Sequence, residues 1–234
     1  MNYWPTFSTN LTELIEPYYD QLEAMAPRHR DLAKIYAKDL VKKDLEDVWT
    51  VGHSNHAYDA AEITSHGGIG GGPFTLLPLW DWYLFTGDKS ILEKLWTMLL
   101  SSSRFLTAVM EEQTDGKMLA VPSYSPENKL PKGVKTAKGT AYDQQMVYEG
   151  HLMTLTAARI LGKVDPLLET IQDHLPRLDP VMIGEDPQGK YIKEFREEEA
   201  YHGQPPAHQP TGGPRSRHHR FPRNRNGSKP RRSR

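Results

Sequence analysis

Apolar residues recur at helical spacing along most of residues 1–200. Leu11, Leu14, Ile15, Tyr18 and Leu22 follow the candidate caps Ser8, Thr9 and Asn10, and Pro17 is expected to kink this helix or end it early. A second amphipathic run over 28–41 carries Leu32, Ile35, Tyr36 and Leu40. From Phe74 a wide apolar face of Leu76, Leu77, Leu79, Trp80, Tyr83, Leu84 and Phe85 leads to Thr86, Gly87 and Asp88, which read as stop, left-handed cap and new N-cap. The next helix, with Ile91, Leu92, Leu95, Trp96, Leu99, Phe105 and Val109, is expected to reach about Glu112. Thr140 caps a further helix through Met146, Val147, His151 and Leu155, closed by Gly162; Asp165 and Pro166 open another with Leu167, Leu168, Ile171 and Leu175. Strand signals are nearly absent. The pattern predicts an all-α chain of antiparallel helix pairs, able to form a bundle, a solenoid or a closed toroid.

The gaps between helices are long and polar. Residues 43–73 lack a period of their own and carry Gly52, His53, Ser54, Asn55, His56, Tyr58 and Asp59, then His66 and five further glycines. His53, His56 and His66 could ligate a metal, but their spacing fits no standard zinc pattern. The glycines could cradle a phosphate, but no Lys-Ser/Thr pair follows and no strand precedes. Binding of a small polar ligand by His and Asn side chains is the best functional reading. The aromatic stripe of Trp80, Trp82 and Tyr83 reads as core rather than as a sugar platform. Residues 121–128 hold Glu127 between two helices, and Pro122 and Pro126 forbid a helix or a central strand there. A carboxylate on a rigid loop suits a general acid, which must stand at a fixed distance from a leaving oxygen; the alternative is a solvated surface charge.

Composition narrows the picture. With no cysteine, disulfides and thiolate metal sites are excluded. No apolar run approaches a membrane span, and the start lacks a signal-peptide pattern, which leaves localisation open. The net charge of -1 conceals a division: nine of the 29 Lys and Arg residues, and none of the 30 acidic ones, lie in 201–234. That segment is also rich in Pro, Gly, Ser and His and is expected to be disordered. Its arginines would allow salt-sensitive, non-specific binding of nucleic acid, with the helical body as scaffold.

The ordered motifs of the body add a resemblance. Asn2, Tyr3, Trp4 and Pro5, followed by Thr9, Asn10, Leu11, Glu13, Leu14, Glu16 and Pro17, resemble glycoside hydrolase family 95, the inverting α-L-fucosidases and some α-L-galactosidases. Trp80, Tyr83, Leu84, Thr86, Gly87 and Asp88 match next, then Pro122, Ser123, Ser125, Pro126, Glu127 and Asn128, then Asp143 with Gln144, in the family's order. The resemblance implies an (α/α)6 toroid, incomplete here, over 1–200, with 201–234 as a basic tail. It implies Glu127 as general acid and Trp4, His53, Asn55 and Asp143 as sugar-binding residues, with no cofactor or metal. The partner would be a fucose- or galactose-containing glycan, no membrane is involved, and nucleic acid becomes the weaker reading. Oligomeric state is left open. The family's water-orienting Asn pair and downstream Asp do not occur in these residues, and Gly52 to Asp59 departs from its His-His-Asn pattern. Inversion needs a second group roughly 6.5–9.5 Å from the acid, so the chain is expected to be inactive alone. Residues 205–209, read one base out of phase, can spell His-Arg-His-Ile-Ser, as relatives are expected to have after an acidic run. The tail is therefore readable as a frameshift product.

Overall fold

The computed structural model describes residues 3–52, 55–56, 59–60, 69–126 and 137–196. It is mostly helical. Five α-helices follow in order: α1 (Glu16–Leu40), α2 (Gly71–Thr86), α3 (Lys89–Ala108), α4 (Ala141–Leu161) and α5 (Leu167–Arg177). Links too short for a crossover make α2 and α3 antiparallel, and likewise α4 and α5.

The sequence expectation for the first two helical runs needs correction. They form one helix, α1, entered through a 3-10 turn at Thr12–Ile15. Pro17 neither kinks nor ends it, because it stands in the first turn, where the missing N–H has no intrahelical partner to lose. Pro27 lies inside the same helix. The stop between α2 and α3 is as expected: Gly87 adopts φ 67° and donates its N–H to Tyr83 O, and the Asp88 side chain accepts from Ser90 N at 2.8 Å. At the far end α3 is shorter than periodicity suggests. Val109 leaves the helix, and Met110–Glu112 forms β3, paired antiparallel with β4 (Met118–Ala120). Among the described residues two more antiparallel pairs occur, β1 (Asn55–His56) with β2 (Asp59–Ala60), and β5 (Ile183–Asp186) with β6 (Gly189–Ile192). Pairs this short carry no alternation long enough to read from sequence.

Two large apolar clusters lie between the helices, beside a small Met25–Leu32 pair within α1. One joins Ile15, Tyr19 and Leu22 of the first segment to Leu76, Leu79 and Trp82 of α2 and to Leu92, Leu95 and Leu99 of α3. The other joins Tyr36, Phe105, Leu106 and Val147 to the β3–β4 hairpin. Trp82 is buried, and Trp80 and Tyr83 pack against the first cluster, so this stripe is core. The segment following α1 is less polar in space than in sequence, since Val48, Trp49, Thr50 and Val51 are all buried. The basic tail expected at 201–234 lies outside the described residues.

Candidate active site

The proline-rich stretch leaves the β3–β4 hairpin through Val121, whose N–H donates to Val109 O at 2.9 Å. The Val121–Pro122 bond is cis. Residues 121–126 form an irregular loop pinned on both flanks. Ser123 N donates to Ala137 O at 2.9 Å, and Gly139 N donates to Ala120 O at 2.9 Å. The buried Ser125 hydroxyl donates to the Glu194 carboxylate.

Below this loop lies the best-connected carboxylate among the described residues. Asp143 belongs to the first turn of α4, after the N-cap Thr140, and is fully buried. Its Oδ1 accepts from Gly70 N at 3.0 Å, at the start of α2. Its Oδ2 accepts from Ser123 Oγ at 2.9 Å and from Tyr124 N at 2.8 Å. The N–H of Ile69 adds to the set. The N-termini of α2 and α4 therefore converge on one carboxyl group, and both helix dipoles favour its ionised form. Burial nevertheless dominates and pushes the Asp143 carboxyl up to about 7, against the hydrogen bonds from Tyr124, Ser123, Gly70 and Ile69, which pull it down. Thr140 closes the network: its N–H donates to Ser123 Oγ at 2.9 Å and its hydroxyl to Tyr124 O at 2.7 Å.

The start of the chain reaches the same end of the helices. The Trp4 ring lies 5.6 Å from Phe74 in the first turn of α2, and Phe74 lies 6.1 Å from Tyr142, the neighbour of Asp143. Trp4 keeps 46% of its surface exposed, so one face is available to a ligand. A cavity of about 390 Å³ opens beside the loop, lined by Val41 and Lys43 after α1, Ala108 to Glu111 at the end of α3 and beyond it, and Val121, Pro122 and Tyr124. Lys43 Nζ is committed there to Ala108 O at 2.7 Å, at the C-terminus of α3.

Of the residues singled out from sequence, Trp4 and Asp143 are brought to one end of α2 and α4. Asp143 does not face open space: its side chain is fully buried, which suits a tether better than a direct sugar ligand. Asn55 is described by its backbone, which pairs with Ala60. Glu127 and His53 lie outside the described residues. The Asp143 network itself was not read from sequence. Its one local signal is the Thr140 to Asp143 spacing of a capping box, in which the acid would reach back to its own cap. Here the acid reaches across to a second helix instead. Among the described residues no three His, Asp or Glu side chains are grouped to hold a metal, and no helix is long and apolar enough to cross a membrane.

A family model for the glycosyl hydrolase family 95 catalytic domain matches residues 1–219. The chain is also similar to alpha-L-fucosidase 2 of Arabidopsis thaliana, at 26% identity over 211 residues, covering 86% of this chain. It spans about a quarter of that relative's length, 25%. The motif order, the helical body and the match across most of the chain agree, and the chain belongs to glycosyl hydrolase family 95.

Proposed function

We propose that this chain supplies the acid side of an inverting glycosidase acting on terminal α-L-fucosyl or α-L-galactosyl linkages, with Glu127 as the general acid. The observation that supports this most is the fixing of the loop before Glu127. Ser123 and Tyr124, four and three positions upstream, are hydrogen-bonded to a buried carboxylate, and Ser125 is bonded to Glu194. A general acid needs such a base, because proton transfer to a leaving oxygen depends on hydrogen-bond distance. The half-exposed Trp4 at the same end offers an apolar face for a sugar ring, and His53 and Asn55 are the polar candidates for its hydroxyls. The meeting of the α2 and α4 N-termini at Asp143 supports reading them as two inner helices of an (α/α)6 toroid. The name of the Arabidopsis relative supports fucose ahead of galactose.

Inversion also needs an activated water on the opposite face of the ring. The groups that the family resemblance assigns to that task are not among these residues, so the 234-residue chain is proposed to be inactive by itself. The experiment is turnover of an aryl α-L-fucoside by this chain and by the longest polypeptide encoded at its locus, each with and without Glu127→Gln. The longer polypeptide should be active and lose about 10²–10⁴-fold on substitution. An unaffected rate in Glu127→Gln overturns the acid assignment, and turnover by the 234-residue chain overturns its inactivity. No observation on the described residues favours nucleic-acid binding.

A further inference from the structure

We propose that Asp143 is the positioning residue that fixes the loop leading to Glu127 against the start of α2, where the polar segment ends. The inference rests on the reading of Glu127 as acid, but its geometry is independent of that residue. The two oxygens of Asp143 are divided between the two loops. Oδ1 takes Gly70 N, the last residue before α2 and the end of the segment that carries His53 and Asn55. Oδ2 takes Tyr124 N and Ser123 Oγ, in the segment that leads to Glu127. The carboxylate is wholly buried on the first turn of α4, out of reach of bulk solvent, so neither Gly70 nor Tyr124 can shift without losing a hydrogen bond that is costly to leave unmade. Close packing reinforces the joint: a Cβ on Gly70 would stand 2.8 Å from Met146 Cβ and 2.9 Å from Tyr142 Cε1, so the main chain lies directly on α4.

This arrangement gives one side chain control over the offset between residues 123–124 and the start of α2. An amide cannot substitute for it. Asn offers one acceptor oxygen and turns an NH2 toward N–H groups, so one of the two loops must lose its anchor.

The test is hydrogen exchange on the 234-residue chain, which needs no substrate. In Asp143→Asn the amides of Gly70 and Tyr124 should exchange at least about tenfold faster, while Leu95 and Leu99 in α3 keep their protection. Ser123→Ala, which removes one hydroxyl and leaves the carboxylate, should speed Tyr124 and spare Gly70; Ser123→Thr should restore Tyr124. A purely structural role predicts even loss along α3 and α4 in every variant. Wild-type exchange at both amides in Asp143→Asn, or even loss in Ser123→Ala, overturns the inference. If Asp143→Asn does not fold, the selectivity of Ser123→Ala decides. An effect of Asp143→Asn on exchange, with no effect of Glu127→Gln on turnover, would keep the joint and discard the acid.

Discussion

His151 shows what burial does to a single titratable group. It lies in α4 with Nδ1 3.3 Å from Ser103 Oγ, and Ser103 is in turn 2.7 Å from Thr154 Oγ1. Burial, and to a lesser degree the charge of His174, holds it down at about 3, so the folded chain takes it neutral. The unfolded chain binds its proton near 6.5, and stability from this site therefore falls as pH drops from about 6.5 toward 3. Asp143 acts in the opposite sense. Its carboxyl is raised from 3.8 to about 7, the folded state holds the extra proton, and stability from it falls as pH rises through that window. Thermal melts should show this as crossed behaviour: the cost of His151→Gln is smaller at pH 4.5 than at pH 8, and that of Asp143→Asn is smaller at pH 8. Parallel pH profiles for wild type and His151→Gln would contradict the buried neutral state. Neither histidine nor aspartate carries a local sequence sign of these shifts, because burial is set by residues about 50 positions away in the first case and 20 to 70 in the second.

Single glycines make or break the joints between helices, and they do so for two different reasons. Gly87 is needed for its left-handed φ, with open space around the missing Cβ. Gly87→Ala should therefore cost about 1–2 kcal/mol through backbone strain alone, read as a lower denaturant midpoint with an unchanged m-value. Gly70 has an ordinary helical φ and is needed for proximity. Gly70→Ala must push α2 from α4, and it should cost more than Gly87→Ala and also loosen the Tyr124 amide. Equal costs with no effect on Tyr124 would show that the contact to α4 can relax. The first kind of glycine was legible, since Thr86, Gly87 and Asp88 mark a stop and a start in three consecutive positions. The second kind was not, because residues 67–72 look the same whether they approach a phosphate, a ligand or another helix.

For the molecule as a whole, the apolar surface is not all enclosed. Leu14, Leu84 and Phe85 are about half exposed or more, on the side where the first helical segment meets α2 and Phe7 stacks on Phe85 at 5.3 Å. Tyr148 and Leu152, one turn apart on α4, are exposed as well. Apolar patches of this kind drive association in water. Sedimentation velocity of the isolated chain should show mass rising with concentration, and Phe85→Ser should weaken that rise. A monodisperse monomer that melts cooperatively would contradict it.

Helix identity, the α2–α3 turn, the caps at Thr140 and Gly162, and the family were all determined by the sequence itself, because they depend on residues a few positions apart or on motifs in fixed order. The merging of two helical runs into α1, the hairpins that end α3 and follow α5, and the role of Asp143 were decided by tertiary structure. Pro17 is a breaker or an opener according to where the first turn falls, and that is set by how Ile15 and Tyr19 seat in the core. Asp143 carries the spacing of a local cap, yet its carboxylate binds Gly70 and Tyr124, far from it along the chain. A hydrogen-bond acceptor in water is satisfied anywhere, but once buried it is satisfied only by the donors that folding delivers.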